Sequence, residues 1–165
     1  MMRYSGIIYN DTAAAPGVCL TYFAQGCPHR CKGCHNPETW DFKGGEVFNN
    51  ATLDKIIKGL RANGIERTFC IMGGEPLCEE NLFLTTLLIR EVKEKYPNQK
   101  IYLWTGYVLE ELLHKKDAKI KYILSNIDYL IDGPYMEEYR DITLPMRGSS
   151  NQRIISVKEI INDIK

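Results

Sequence analysis

Cys27, Cys31 and Cys34 fall within the run Cys27-Pro28-His29-Arg30-Cys31-Lys32-Gly33-Cys34, and His35-Asn36-Pro37-Glu38-Thr39-Trp40 follows at once. Thiolates are soft ligands that favour zinc, copper(I) or iron–sulfur clusters. Three of them leave a tetrahedral or cuboidal centre one ligand short, and an open metal position is where chemistry takes place. Two readings of this loop stand side by side. One is a Cys₃His zinc knuckle completed by His29 or His35. The other is an iron–sulfur cube whose fourth iron is free for a substrate. Zinc sites usually join two separated ligand pairs, and no second Cys or His pair exists downstream, so the cube fits the spacing better. The remaining histidine, His114, sits at a basic helix end and reads as a solvated surface residue.

A second constellation is Gly73-Gly74-Glu75-Pro76. The glycines permit positive φ and close approach of backbone to a ligand, the proline stops a strand ladder, and Glu75 adds a negative charge. Taken alone, the segment reads equally as a tight strand-to-helix turn. The other cysteines read as structural. Cys19 and Cys70 lie in apolar strand-like runs, where a buried thiol behaves as a small hydrophobe. Cys78 lies just past the glycine turn, with partial exposure expected.

The elements that must position these groups alternate. Val18–Ala24, Arg67–Met72, Lys100–Trp104 and Asp128–Ile131 read as strands, with a weaker one at Gln152–Ser156 and another near Ser5–Tyr9. Leu53, Ile56, Ile57 and Leu60 have helical spacing, with Thr52 as the expected N-cap. A longer helix is expected from Asn81 to Tyr96, with Glu79 and Glu80 at its start, Lys93 and Lys95 at its end, and Pro97 beyond. Val108–His114 and Ala118–Ser125 are shorter candidates. Such alternation means parallel strands joined by right-handed crossovers. A complete eightfold barrel needs ~250 residues, so 165 residues predict an α/β fold built as an incomplete, open β/α barrel of mostly parallel strands, in a single domain spanning 1–165. In such sheets the active site lies at the carboxyl ends of the strands, where the motifs fall.

Lys+Arg and Asp+Glu both number 21, a balance that gives no support to nucleic-acid binding. No apolar run reaches the length of a membrane span and the start lacks a signal-peptide core, so a cytoplasmic protein is expected, with its cysteines reduced.

The Cys-x₃-Cys-x₂-Cys loop resembles that of the radical S-adenosylmethionine superfamily. The resemblance implies that Cys27, Cys31 and Cys34 hold a [4Fe-4S] cluster and that S-adenosyl-L-methionine chelates its open iron. An electron from the reduced cluster would then cleave the sulfonium to methionine and a 5′-deoxyadenosyl radical. Gly73, Gly74 and Glu75 look like the superfamily's Gly-Gly-Glu segment, whose main-chain carbonyls and carboxylate receive the cofactor's ammonium. Gly26 through Trp40, Trp104-Thr105-Gly106-Tyr107, Asp132-Gly133-Pro134 and Arg147 through Gln152 are together similar to the anaerobic ribonucleotide reductase activating family, over nearly the whole chain. One departure stands out. Many superfamily members carry an aromatic residue just before the third cysteine, whereas Gly33 is there and His35 follows. The activating family shifts its ring to the later position, usually as tyrosine, which implicates Gly33, Cys34 and His35 on the adenine side.

The function implied is generation of a glycyl radical on the large subunit of the anaerobic (class III) reductase, with reduced flavodoxin or a similar protein as electron donor. No general base is assigned, because the cofactor carries the chemistry. Three alternatives differ in testable ways: an activator of another glycyl-radical enzyme such as pyruvate formate-lyase, a small-molecule radical enzyme resembling 7-carboxy-7-deazaguanine synthase, and a non-catalytic zinc-binding interaction module. The roles of Asp132, Arg147 and the loop from Gly148 to Gln152 stay open at this level.

Overall fold

The computed structural model describes residues 1–164; Lys165, the end of the expected single domain, lies outside the described residues. Seven strands form one sheet: β1 (Arg3–Asp11), β2 (Cys19–Ala24), β3 (Glu46–Val47), β4 (Thr68–Gly73), β5 (Ile101–Trp104), β6 (Tyr129–Asp132) and β7 (Arg153–Ser156), in the order β3-β1-β2-β4-β5-β6-β7. The central β2, β4, β5 and β6 are parallel. The sheet is open and largely parallel, as expected of an incomplete barrel. Antiparallel pairing is confined to its flanks, where β1 pairs with β2 and β3, and β7 with β6. The connections explain this. Residues 12–18 are too few for the crossover of a dozen or more residues that parallel pairing needs, and residues 133–152 contain no α-helix to build one.

The helices are α1 (Asn50–Gly59), α2 (Glu79–Lys95), α3 (Leu109–His114), α4 (Ala118–Asn126) and α5 (Val157–Ile164). The cap of α1 corrects the sequence reading. Asn49 is the N-cap, and Thr52 is the N3 partner in a reciprocal capping box, each side chain accepting from the other's backbone N–H. α2 begins at Glu79, two residues before the expected Asn81, and carries Glu79 and Glu80 in its first turn and Lys93 and Lys95 in its last. α5 follows β7 directly, and the sequence carries no sign of the boundary because no turn residue separates the two patterns.

Period-two alternation divides the sheet's faces. Leu20, Tyr22, Phe69, Ile71, Ile101, Leu103 and Leu130 pack with Ile56, Leu88, Val92, Leu112 and Ile123 of the helices. Full burial of each aliphatic chain stabilises the fold by ~1.5–3 kcal/mol. Cys19, Cys70, Tyr102 and Ile131 point to the opposite face and meet Ala14 and Ala15 of the β1–β2 connection. Both thiols are therefore core, as expected. Cys78 differs from expectation: it is 1% exposed, because it precedes α2 and its Sγ turns inward to donate to the Glu75 carbonyl (3.2 Å).

Candidate active site

Four motifs leave the carboxyl ends of the four parallel strands: the cysteine loop after β2, Gly73–Glu75 after β4, Thr105–Tyr107 after β5 and Gly133–Pro134 after β6. The fifth, Arg147–Gln152, precedes β7. Because β7 runs antiparallel to β6, it too reaches that end. There a cavity of 170 Å³ is lined by Cys27, Cys31 and Cys34 together with Gly73, Gly74 and Glu75. Of the residues expected at the site, Gly33 and His35 do not line it. Both are exposed on the outer flank, with the His35 ring 5.6 Å from that of Tyr135, which does line the cavity. A larger hollow of 610 Å³, beside Lys93, Asp128 and Lys158, lies at the amino ends of the strands and contains none of these motifs.

Glu75 is the hub. Its side chain is fully buried. Oε1 accepts hydrogen bonds from Leu77 N (2.9 Å) and Thr105 Oγ1 (2.7 Å), and Oε2 from Gly106 N (2.7 Å) and His29 Nε2 (2.7 Å). A carboxylate can only accept, so His29 Nε2 carries the proton in this pair. The charge is thus compensated by donors from three loops, in agreement with the rule that buried charges survive only when hydrogen-bonded. His29, weighed from the sequence as a zinc ligand, is engaged with Glu75 instead.

The glycines have a related task. A Cβ on Gly74 would collide with the Gly26 carbonyl oxygen, and the Glu75 N–H donates to that same oxygen (2.9 Å). Gly73 has φ +108 and pairs with Ala24 at the end of β2. Asn81 at the start of α2 donates to the Gly26 and Glu75 carbonyls. The turn after β4 and the base of the cysteine loop are therefore pressed together backbone to backbone.

Cys27 is buried, while Cys31 and Cys34 are half-buried. Burial, with the Glu75 charge adding to it, pushes the Cys27 thiol up to about 11; burial also raises that of Cys31. Metal ligation needs thiolates, so a metal centre held here would displace protons on loading. Among the described residues, no three His, Cys, Asp or Glu side chains gather closely enough to hold one metal ion. A cube takes each cysteine on a separate iron, and three soft thiol donors lining one cavity fit such a cluster.

Two residues whose roles the sequence left open now have structural ones. Asp132 is fully buried; it accepts from Leu109 N at the start of α3 (2.8 Å) and from Arg153 Nε of β7 (3.0 Å), while Arg153 also grips Glu110. Arg147 Nη1 donates to the Gln152 carbonyl (2.8 Å), inside a loop that Gln152 organises by accepting from Gly148 N and Ser149 N and donating to the Gly133 carbonyl. Sequence reasoning missed the lining residues Asn36, Met72 and Tyr135, none of which has a signal in its type or spacing. Thr105 and Gly106 had one, the recurrence of a small-residue turn directly after a strand.

A protein-family profile described as a 4Fe-4S single cluster domain matches residues 13–155. An anaerobic ribonucleoside-triphosphate reductase-activating protein from Vibrio cholerae is 38% identical over 93% of this chain and 97% of its own length. Proteins of the same name from Escherichia coli K12 and from the phage T4 are 35% and 34% identical, covering 92% and 94% of this chain and 96% and 94% of their own. With cluster-compatible cysteines and the Gly-Gly-Glu turn facing one cavity, this chain belongs to the family of anaerobic ribonucleoside-triphosphate reductase-activating proteins.

Proposed function

We propose that Cys27, Cys31 and Cys34 hold the [4Fe-4S] cluster, and that Gly73 and Gly74 offer main-chain carbonyls to the S-adenosylmethionine ammonium. Glu75 contributes by locking that turn, since its own carboxylate is taken up by four donors. The chain is a radical S-adenosylmethionine activase of an anaerobic ribonucleotide reductase. Once bound, the cluster and S-adenosylmethionine supply the one-electron chemistry that creates a glycyl radical on the reductase.

The protein's own residues bind and orient. Cys34 stands on the cavity wall with Tyr135, and Gly33 and His35 flank it, so this side is assigned to the adenine. Trp40, Met72 and Trp104 give the cavity apolar surface. The half-buried flank at Cys31 and Cys34 suits electron delivery by reduced flavodoxin or a similar protein, and the reaction is placed in the cytoplasm. No helix among the described residues is long and apolar enough to cross a membrane. The chain acts as one domain, and the reductase's large subunit is its protein substrate.

The observation that carries this reading is the convergence of three cysteines and the Gly73–Glu75 turn on one cavity at the carboxyl ends of parallel strands. The test is to incubate the reduced, cluster-loaded protein with S-adenosylmethionine and either the anaerobic reductase or pyruvate formate-lyase. A glycyl-radical signal in electron paramagnetic resonance is expected on the reductase. A signal confined to pyruvate formate-lyase, or none on either, would overturn the assignment.

A further inference from the structure

His29 lies inside the cysteine loop, and its ring turns inward onto the wall of the cavity, which it lines together with the three cysteines. Nε2 donates to Glu75 Oε2 at 2.7 Å, across 46 positions of sequence. The ring lies over Gly106, where a Cβ would come within 2.6 Å of it, and meets the Tyr107 ring edge-on at 4.6 Å. Thr105 and Gly106 bind the same carboxylate from the loop after β5. The base of the cysteine loop is fixed separately, through Gly26 N to the Thr39 carbonyl and Cys27 N to the Trp40 carbonyl. His29 therefore restrains the part of the loop between the first two cysteines, just before Arg30 turns the chain at φ 51.

We propose that His29 is a positioning residue. It sets the distance and orientation between the Cys27–Cys31 arm of the cluster loop and the Gly73–Gly74 turn, and so the alignment of S-adenosylmethionine on the cluster. The proposal rests on the cluster and cofactor assignment given above. A cofactor that must chelate iron at one end and lodge its ammonium at the other is sensitive to small shifts between those anchors. The Glu75 carboxylate is where the two anchors meet, and His29 is the link contributed by the cluster side.

Two variants separate the hydrogen bond from the packing. His29→Phe keeps a ring over Gly106 and Tyr107 but has no N–H to donate, whereas His29→Gln keeps a donor and loses the ring. Each is loaded with iron and sulfide anaerobically, its iron content is measured, and its reduced cluster is titrated with S-adenosylmethionine by electron paramagnetic resonance. We expect both to retain wild-type iron. The spectral change on cofactor binding should need about tenfold or more S-adenosylmethionine in His29→Phe, in keeping with loss of a hydrogen bond to a charged group, and should return to near the wild-type concentration in His29→Gln. Equal titrations for His29→Phe and wild type would overturn the proposal, as would equal impairment of the two variants. Loss of iron from both would do so too, because His29 would then serve cluster assembly and not alignment. Failure of the wild type to respond to S-adenosylmethionine would instead sink the cofactor assignment itself.

Discussion

At Glu75, four donors converge on one buried carboxylate, so substituting an amide turns an N–H₂ group toward at least one of them. Glu75→Gln should destabilise the cluster-free protein by about 2–3 kcal/mol, read as a lowered thermal midpoint; an unchanged midpoint would mean that these bonds contribute nothing. Among the cysteines, position determines consequence. Cys31→Ala should hold little iron and yield no 5′-deoxyadenosine from S-adenosylmethionine, whereas Cys19→Ala, in the core on the sheet's other face, should keep wild-type iron content. Undiminished 5′-deoxyadenosine from Cys31→Ala would refute the ligand assignment. The cysteine and glycine motifs were legible because their chemistry is encoded in local spacing. The bond from His29 to Glu75 was not, since it depends on how two loops from different strands fold toward each other.

Elements deliver these residues with little slack. The Gly74 Cα faces the Gly26 carbonyl so closely that a methyl group there must push the turn away from the cysteine loop. Gly74→Ala should therefore fold, with a far-UV circular dichroism spectrum like wild type, and lose most of its response to S-adenosylmethionine; an unaltered titration would show that the close approach is dispensable. Farther from the chemistry, Asp132 joins the end of β6 to α3 and β7 through Leu109 N and Arg153. Asp132→Ala should cost about 2 kcal/mol in chemical denaturation, the half-exposed Arg153 softening the loss; a midpoint equal to wild type would count against the clamp. The four parallel strands and the long amphipathic helices could be read from periodicity. The antiparallel pairing on the flanks could not, because a strand's partner depends on connections that carry no period, as at β1 and β7. The α1 boundary moved for a different reason: Asn49 and Thr52 are both good cap residues, and only the reciprocal pair fixes which one leads.

The main core contains none of Cys27, Cys31 and Cys34. Protein hydrogen bonds close the cysteine loop at its base, including Gln25 Nε2 to the Glu38 and Asp41 carbonyls. Small metal-folded domains depend on their metal for folding free energy. This chain has a helix-covered sheet to do that, so removing the cluster with a chelator should leave a cooperative thermal transition and the far-UV spectrum largely intact. Collapse of both would reveal that the cluster holds the fold. The same architecture leaves the site open to one side. The sheet does not close into a barrel, Cys31 and Cys34 are only half-buried, and Lys32, Gly33, His35, Met136 and Glu137 beside them are exposed. An open mouth of this kind admits a polypeptide bearing a glycine, and it equally admits oxygen. A reductase seated over the mouth would cover that flank. In air, the broad visible absorption of the cluster should therefore bleach more slowly when the reductase is present in saturating amount than with an equal mass of an unrelated protein. Identical bleaching rates would mean that the reductase docks elsewhere and that the open side of the sheet is not its binding face.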